Sequence, residues 1–364
     1  MKAALVHDWM NQIGGAEDVL ENMTAMFPRA PIFTSLYAPE RMPSHWRRWD
    51  IQTSFINRLP LAHKKQQLYF PLYPTAFERF DTSGYDLILS NKSGFCHGVI
   101  TAPETMHICY CLTPTRYVWR FEQYAEKENL NRLTRFMIQP FLSSLRRWDR
   151  MAAGRVDHFI AISEEVRRRI AEIYGRESTI IYPPVDIGRF EPSNTVEDYY
   201  LFVGRLVPYR RIDLLIEAFN QLDRPLVIAG SGRDRPRLEA LAGSNITFLG
   251  YVPDEQLPDL FSRCRAFVFP GEEDFGIAPV QAMASGRPVI AYAAGGAGET
   301  VVPGTGCLFA EQSVTAMIDA VESFDPDALD QRFIRAQAQK FDVASFRRRL
   351  NEFIEQKLDE GLRA

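Results

Sequence analysis

The residues best able to do chemistry lie in the segment Phe269–Val289 (FPGEEDFGIAPVQAMASGRPV). A strand-like apolar run ends at Pro270, acidic residues follow, and a helical pattern begins after Gly276. A helix start at the carboxyl edge of a parallel sheet favours an anionic ligand, because free N–H groups and the helix dipole point at it. Glu273 would face the same crevice, where a carboxylate beside a phosphate needs other partners, such as sugar hydroxyls. The alternative is a loop of solvated acidic side chains, and the segment alone does not separate the two.

Three arginines follow another strand-like run, in the segment Gly204–Arg211 (GRLVPYRR). Guanidinium groups bind phosphate in a bidentate manner, so arginines just past a strand and opposite a helix start suit a diphosphate. Taken alone, such a segment is more often a basic surface patch.

Two glycine-rich turns also follow strand-like runs. Gly230 and Gly232 come after PLVIAG, but the third glycine of a dinucleotide fingerprint is absent, which argues against a nicotinamide enzyme. Gly14 and Gly15 open a helical pattern after the first run, where a plain strand-to-helix turn is the alternative.

Cysteines and histidines do not form a recognisable catalytic or metal-binding pattern. Cys109 and Cys111 share one face of a strand without a nearby pair of histidines, which is poor metal geometry and predicts buried thiols. His7, His97 and His107 are isolated in the sequence, so we expect packing or hydrogen-bonding roles for them. We expect no metal site.

Short apolar runs alternate with helical patterns, which predicts an α/β fold with parallel sheets covered on both faces. The segment YPPVD at 182–186 interrupts this alternation and predicts a hinge between two doubly wound domains. The expected divisions are 1–185 and 186–342, with a final helix at 343–364 folding back on the first domain. The expected strands are 2–7, 31–36, 86–90, 107–111, 158–162, 179–182, 200–204, 225–230, 246–250, 266–270 and 288–292.

Composition indicates a globular protein. The chain has 364 residues, of which 46% are hydrophobic and 24% charged, which excludes disordered and fibrous classes. The apolar runs are too short for a membrane span, and the start MKAALVHDWM does not resemble a signal peptide. Five cysteines are a small, odd number for a disulfide framework, so we expect a reduced, cytoplasmic protein.

Charge is distributed unevenly along the chain. Residues 1–190 hold 24 Lys and Arg against 20 Asp and Glu, whereas residues 191–364 hold 18 against 26. The acidic second half argues against nucleic-acid binding. Residues 130–155 are both basic and apolar, which predicts either contact with an anionic membrane surface or acceptor, or a solvated helix with one buried face. In the first case, the apolar residues expected at the membrane are Phe136, Met137, Ile138, Phe141, Leu142 and Trp148.

Together these segments resemble the retaining GT-B glycosyltransferases of family 4, over nearly the whole chain, which implies two Rossmann-like domains facing a central cleft. The resemblance rests on HDWMNQIGGAEDVLE (7–21), CYCLTPTRYVW (109–119), FIAISEEV (159–166), IIYPPVD (180–186), FVGRLVPYRRIDLLIEAF (202–219), ITFLGYVPDEQL (246–257) and EEDFGIAPVQAMASGRPVIAYAAGGAGETV (272–301).

Within that family, the chain is most similar to bacterial mannosyltransferases that use GDP-mannose to build surface polysaccharides. The resemblance implies a nucleotide-sugar donor, a glycan or polyprenyl-diphosphate-linked oligosaccharide as acceptor, and a place in the cytoplasm or at the inner membrane face. It also implies transfer with retention of configuration through a front-face, oxocarbenium-like path. No metal or organic cofactor is implied, because cationic side chains and a helix end stabilise the leaving diphosphate.

The resemblance assigns catalytic roles to three residues: Arg205 and Arg210 grip the diphosphate, and Glu273 holds hydroxyls of the donor sugar. The other implied donor contacts are Gly14 and Gly15 near the phosphates, the amides of Phe275, Gly276 and Ile277 on the diphosphate, Gly230 and Gly232 bordering the nucleotide, Tyr251 and Val252 near the base, and Gln281 on the ribose.

The sequence departs from the family pattern at three positions. Gln281 stands where the family has a second Glu, Arg210 replaces the usual Lys, and Leu112 replaces a common His. These departures keep alternatives open: a catalytically decayed scaffold, a UDP-sugar-dependent enzyme, or another GT-B enzyme such as an epimerase or a phosphorylase. A phosphorylase would need a cofactor lysine, and Lys340 and Lys357, the only lysines after residue 190, lie in the C-terminal tail.

Overall fold

A computed structural model describes residues 1–64, 66–121 and 132–361. The chain divides by its internal contacts into two units. Unit 1 comprises Met1–Pro183 and the C-terminal residues from Phe346 onward, and unit 2 comprises Pro184–Ser345. The division falls close to the boundaries expected at 185 and 342.

Unit 1 is built on a parallel sheet of seven strands in the order β3-β2-β1-β4-β5-β6-β7. All six residues of the central strand β4 are buried, as expected for a strand covered on both faces. The strands are β1 (Ala3–His7), β2 (Ile32–Thr34), β3 (Ile51–Thr53), β4 (Leu87–Lys92), β5 (Met106–Cys111), β6 (His158–Ala161) and β7 (Ser178–Ile180).

Unit 2 is built on a second parallel sheet, in the order β10-β9-β8-β11-β12-β13. Its core packs Phe202, Leu215, Ile228, Val268 and Ile290, all inaccessible to solvent. The strands are β8 (Tyr200–Val203), β9 (Leu226–Ala229), β10 (Ile246–Gly250), β11 (Ala266–Phe269), β12 (Val289–Tyr292) and β13 (Gly306–Phe309).

Helices connect the strands. In chain order we label them α1 (Gly15–Met26), α2 (Tyr73–Glu78), α3 (Arg116–Trp119), α4 (Arg132–Gly154), α5 (Glu164–Tyr174), α6 (Ile212–Leu222), α7 (Arg235–Leu241), α8 (Leu257–Arg263), α9 (Ile277–Ala284), α10 (Ala297–Thr300), α11 (Val314–Ser323), α12 (Gln331–Ala338) and α13 (Val343–Gly361). In the part of the chain that the structure describes, no helix combines the length and apolar character that crossing a bilayer requires.

The predicted α/β fold of two doubly wound sheets is confirmed, and each expected run overlaps a strand. Ser163 caps α5 as its sequence indicates, since its Oγ accepts from Val166 N (3.2 Å), and Gly175 ends the helix in the left-handed conformation. Helix α13 packs within unit 1, where Phe346 meets the ring of Tyr110 edge-on. The sequence analysis missed β3 and β13. Both are short edge strands, and most of their residues are partly exposed.

Candidate functional site

The candidate site lies at the carboxyl edge of the sheet in unit 2, where segments that follow neighbouring strands meet. Leu206 N donates to Ser231 O (2.9 Å), which joins the segment after β8 to the one after β9. Gly230 N donates to Gly250 O (2.6 Å), which joins the end of β9 to the end of β10. In a parallel sheet these carboxyl ends share one edge, where ligands of open α/β sheets bind.

Arg210 and Glu273 form an ion pair at this edge. Nη2 of Arg210 contacts Oε1 of Glu273, and the two side chains are only 13% and 19% exposed. Nε of Arg210 is buried and has no hydrogen-bond partner among the described residues. The site therefore holds a largely buried cation with an unused donor beside a largely buried carboxylate. The sequence analysis assigned Arg210 to the diphosphate and Glu273 to hydroxyls of the sugar. It did not predict that the two side chains pair with each other.

Two glycines make room for Arg210. A β-carbon on Gly204 would lie 2.0 Å from Nη1 of Arg210, and one on Gly271 would lie 3.0 Å from its Cα. Larger residues at either position would displace the arginine. The sequence analysis did not single out Gly271, although a glycine directly after a strand signals a close approach of another segment.

Gly230 and Gly232 allow the segments after β8 and β9 to touch. A β-carbon on Gly230 would lie 1.9 Å from the carbonyl oxygen of Gly204, and one on Gly232 would lie 2.1 Å from that of Leu206. The packing of the protein's own backbone thus explains both glycines. That they border a nucleotide stays a prediction.

The backbone from Glu273 to Phe275 is held by the segment after β12. Gly296 N donates to Glu273 O (2.9 Å), and a β-carbon on Gly295 or Gly296 would lie 2.1 Å from a carbonyl oxygen of Glu273 or Phe275, respectively. Gly276 then adopts a left-handed conformation (φ 84°) as the N-cap of α9. The sequence analysis assigned no role to Gly295 and Gly296, although a Gly-Gly pair after a strand is a turn signal.

Helix α9 presents its start at this edge without a side-chain cap. Ile277 is its first residue, so the amides expected to bind the diphosphate, those of Phe275, Gly276 and Ile277, occupy the turn into the helix. Gln281 lies one turn further along and is half-buried. An uncapped helix start carries partial positive charge, which favours an anion.

The remaining predicted donor residues of unit 2 lie in the segments after β8 and β10. Arg205 is exposed, and its Nη2 donates to the hydroxyl of Tyr209 (3.1 Å). Tyr251 is 75% exposed and Val252 half-buried. Both directly follow Gly250, whose carbonyl is bonded to the segment after β9.

Gly14 and Gly15 lie in unit 1, at the start of α1. Gly14 is extended (φ −175°), a conformation that any residue adopts. A carboxylate of the protein already occupies this helix start: Glu17 is 3% exposed, and its Oε2 lies 3.5 Å from the position of a β-carbon on Gly14. Its Oε1 faces Nε2 of His7 at 3.5 Å. The expected approach of this backbone to phosphates stays a prediction.

Asp8, which the sequence analysis did not single out, is fully buried at the end of β1. Its carboxylate accepts hydrogen bonds from four consecutive backbone amides, at 2.6–2.8 Å, which satisfies a charge that would otherwise be costly to bury. The donors are the N–H groups of Ser93, Gly94, Phe95 and Cys96. These hydrogen bonds fix the backbone of the segment after β4. The four amides of this turn are therefore already bonded to a carboxylate of the protein.

A second buried network crosses unit 1 beside that segment. Lys92 Nζ donates to Thr115 Oγ1 (3.0 Å), which lies 2.9 Å from Oδ1 of Asp149. Oδ2 of Asp149 accepts from Nε1 of Trp119 (2.6 Å) and from the hydroxyl of Tyr174 (2.7 Å). Lys92 and Asp149 are both inaccessible to solvent. The network therefore ties strand β4 to helices α3, α4 and α5.

The predicted buried thiols are confirmed, since Cys109 and Cys111 are both inaccessible. Burial raises the pKa of Cys109 to about 12. His107 bonds through Nε2 to Ser90 Oγ (2.9 Å), and burial lowers its pKa to about 3, so it is a neutral hydrogen-bonding residue as expected. Across residues 1–64, 66–121 and 132–361, no three His, Cys, Asp or Glu side chains are grouped as metal ligands.

The basic segment 130–155 forms helix α4 from Arg132 onward, and residues 130 and 131 lie outside the described residues. Arg146 and Arg150 lie over the ring of Trp119, at 5.9 Å and 4.8 Å from its centroid. Trp148, one of the apolar residues expected on a membrane-facing surface, is buried in the core, as is Leu142. That part of the expectation is wrong, because these two side chains form the inner face of an amphipathic helix.

The exposed face of α4 carries Phe141 (56% exposed) and Arg147. The side chains of Phe136, Met137 and Ile138, also expected on that surface, are not among those described.

Comparison with known proteins identifies similar families for both halves of the chain. The family model for glycosyl transferases group 1 matches residues 187–341, and the model for glycosyltransferase family 4 matches residues 13–189. A GDP-mannose-dependent monoacylated alpha-(1-6)-phosphatidylinositol monomannoside mannosyltransferase of Corynebacterium glutamicum is 32% identical over 212 residues, covering 49% of this chain and 52% of the relative. The O-antigen chain mannosyltransferase RfbU of Salmonella typhimurium is 29% identical over 153 residues, covering 39% and 43%. The chain thus spans about half the length of the curated relatives it matches.

Solved structures share the fold over the whole chain. A sucrose-phosphate synthase from Thermosynechococcus elongatus superposes with a TM-score of 0.78 at 21% identity, covering 99% of this chain and 100% of that one. The Anabaena protein HepE in complex with UDP superposes with a TM-score of 0.72 at 20% identity, covering 98% and 100%.

Proposed function

We propose that this chain, whose two halves match the family models for glycosyl transferases group 1 and glycosyltransferase family 4, is a retaining hexosyltransferase that moves mannose from GDP-mannose to a glycan or polyprenyl-diphosphate-linked acceptor in polysaccharide biosynthesis. The observation that carries the proposal is the pairing of Arg210 with Glu273 beside the uncapped start of α9. This edge offers positive charge for a diphosphate and a carboxylate for hydroxyl groups within a few residues of each other.

In the proposed reaction, the bond between the anomeric carbon of the sugar and the diphosphate oxygen breaks. The acceptor oxygen bonds to that carbon on the same face, and the acceptor proton passes to the departing phosphate oxygen. Arg205, Arg210 and the amides at the start of α9 stabilise the charge that develops on the diphosphate. Glu273 accepts hydrogen bonds from hydroxyls of the sugar. Charge stabilisation comes from the protein itself, so the proposal includes no metal or organic cofactor.

The relatives and the similar structures are named with different nucleotides. The Corynebacterium glutamicum relative is named as GDP-mannose-dependent, which favours GDP-mannose for this chain. The Anabaena structure contains UDP, but at 20% identity that likeness extends to the fold alone. We therefore take GDP-mannose as the donor and a UDP-sugar as the alternative.

Thermal unfolding of the full chain with GDP-mannose, UDP-glucose and ADP-glucose tests the donor. A donor present at 100 times its Kd should stabilise the folded protein by about 2.7 kcal/mol, which is a readily measured rise in Tm. We expect GDP-mannose to raise Tm most. A larger rise with UDP-glucose would favour the alternative donor, and no rise with any of them would contradict the proposal. Binding of GDP-mannose without release of GDP, with water or added glycans as acceptor, would favour the scaffold hypothesis.

We further propose that the protein is cytoplasmic and that α4 contacts an anionic membrane surface at the inner face. Phe141 and Arg147 are exposed on this helix, and such a pairing of apolar and basic side chains suits an interface with anionic lipids. Sedimentation with vesicles of anionic lipid should exceed that with neutral vesicles, should fall with salt, and should weaken in Arg147→Glu. Equal sedimentation with both kinds of vesicle, or with neither, would contradict this part of the proposal.

A further inference from the structure

We infer that Glu273 and Arg210 exchange partners when the donor binds, so that the site selects the intact nucleotide-sugar over the bare nucleoside diphosphate. The inference rests on the proposed function and assigns Glu273 an additional role as the positioning residue of Arg210. In the structure the carboxylate of Glu273 neutralises Arg210 and holds its guanidinium against Gly204.

The burial of the pair makes this exchange consequential. Both side chains are more than four-fifths buried, so water replaces a lost partner poorly, and an unpaired charge here is strongly unfavourable. A diphosphate that contacts Arg210 also brings negative charge next to the carboxylate of Glu273, which repels it. Binding of the phosphates alone therefore carries an electrostatic penalty at Glu273.

The surroundings of Arg210 limit how it can avoid this exchange. Gly204 packs closely against its guanidinium, and the only ion-pair partner of Arg210 in the described residues is Glu273. The guanidinium thus has little room to retreat from the carboxylate. Its buried Nε, which has no hydrogen-bond partner among those residues, is a donor that a phosphate oxygen can use.

A sugar on the diphosphate removes the penalty. Its hydroxyls donate hydrogen bonds to the carboxylate of Glu273 and replace the N–H groups that Arg210 withdraws. The nucleoside diphosphate product lacks this sugar, and its ribose hydroxyls are those assigned to Gln281 rather than to Glu273. After transfer, Glu273 pairs with Arg210 again and weakens the hold on the product, so the ion pair favours binding of the donor and release of the diphosphate.

Calorimetric titration with GDP and GDP-mannose, and with UDP and UDP-glucose as a second pair, tests the inference. Glu273→Gln removes the charge at nearly constant shape. We expect it to bind the nucleoside diphosphate about 5- to 20-fold more tightly than the wild type and to lose most of the preference for the nucleotide-sugar, within the usual range of coupling between two sites. Glu272→Gln removes one charge from the same segment and should keep the wild-type preference.

The double variant separates positioning from a general charge effect. In an Arg210→Gln background, Glu273→Gln should tighten binding of the diphosphate much less than it does in the wild-type background. Equal tightening in the two backgrounds would mean that Glu273 acts by charge repulsion alone and would contradict the exchange. If Glu273→Gln does not fold, Glu273→Asp withdraws the carboxylate from Arg210 and should shift the preference in the same direction.

Two further results would overturn the inference. Unchanged or weaker binding of the nucleoside diphosphate in Glu273→Gln, with an unchanged preference, would contradict the exchange while leaving the proposed function intact. Failure of the wild type to bind any of the four ligands would contradict the proposed function and the inference with it.

Discussion

Gly204 and Arg210 lie so close that a β-carbon on the glycine would be 2.0 Å from Nη1 of the arginine. Gly204 is the first residue after strand β8. The side chain of Arg210 passes over it and forms the ion pair with Glu273. The position of the only cation paired with Glu273 in the described residues thus depends on the absence of a side chain at Gly204.

Gly204→Ala should therefore impair catalysis, and it should also lower Tm, since the backbone at Gly204 (φ 159°) has a conformation that side chains rarely adopt. The added methyl group displaces the guanidinium rather than a core residue, and a misplacement of about 1 Å in a catalytic group costs roughly 100-fold in rate. Rates of GDP release from GDP-mannose and Tm values for both proteins would check this. Gly188→Ala is the matched control, since a β-carbon there approaches no atom closer than 3.6 Å. Wild-type turnover in Gly204→Ala would contradict the importance of this contact.

Gln281 should still bind the nucleotide although the family has Glu at this position. An amide keeps one acceptor oxygen and adds donors, so a hydrogen bond to a ribose hydroxyl survives without the charge. We expect Gln281→Ala to raise the donor KM roughly 5- to 20-fold, as for loss of a contact worth about 1–2 kcal/mol. Gln281→Glu should remain active. An unchanged donor KM in Gln281→Ala, together with turnover that is orders of magnitude faster in Gln281→Glu, would contradict this prediction. It would show that the natural protein is catalytically impaired by Gln281.

Turnover should persist in excess EDTA. The proposed mechanism stabilises the leaving diphosphate with Arg205, Arg210 and the start of α9, so chelation removes nothing that it uses. GDP release measured before and after chelation, and again after adding Mg²⁺ or Mn²⁺, checks this. Loss of activity on chelation and its recovery with either ion would show that the leaving group is stabilised in another way.

Asp149→Asn should destabilise the protein substantially. Asp149 is fully buried and accepts hydrogen bonds from Thr115, Trp119 and Tyr174, with Lys92 bonded to the same threonine. The variant removes a buried carboxylate that is joined to the buried Lys92 through Thr115, and loss of a buried charge's partner typically costs about 3–5 kcal/mol. Urea unfolding of Asp149→Asn, with the exposed Glu104→Gln as control, measures the difference. Equal midpoints for the two variants would mean that the network contributes little to folding.

The alternation of apolar runs was sufficient to predict the two parallel sheets, because a buried parallel strand needs a continuous apolar run. The capped helix after Ser163 was equally readable, since the cap is local in sequence. Strands β3 and β13 lacked such a signal. The sequences IQT (Ile51–Thr53) and GCLF (Gly306–Phe309) hold too few consecutive apolar residues, whereas the edge strands β7 and β10 lie in the more apolar runs TIIY and ITFLG.

The candidate site was predictable in its parts but not in its connections. The acidic segment, the arginines and the glycines each follow a strand, which was visible in the sequence. The pairing of Arg210 with Glu273 was not, because a contact between residues so distant along the chain depends on the order of strands in the sheet. The same holds for Asp8, whose carboxylate is bonded to amides of Ser93 and Gly94.

The most direct test of the central claim is the rate of GDP release from GDP-mannose by the wild type and by Arg205→Ala, Arg210→Ala and Arg210→Lys, each checked for folding by Tm. A charged hydrogen bond to the leaving diphosphate is worth about 1.5–3 kcal/mol, so each alanine variant should lose roughly 10- to 150-fold in kcat/KM. Arg210→Lys should retain much more activity than Arg210→Ala, since it keeps the positive charge. Wild-type kcat/KM in a folded Arg210→Ala variant would contradict the assignment of this edge of the sheet as the donor site.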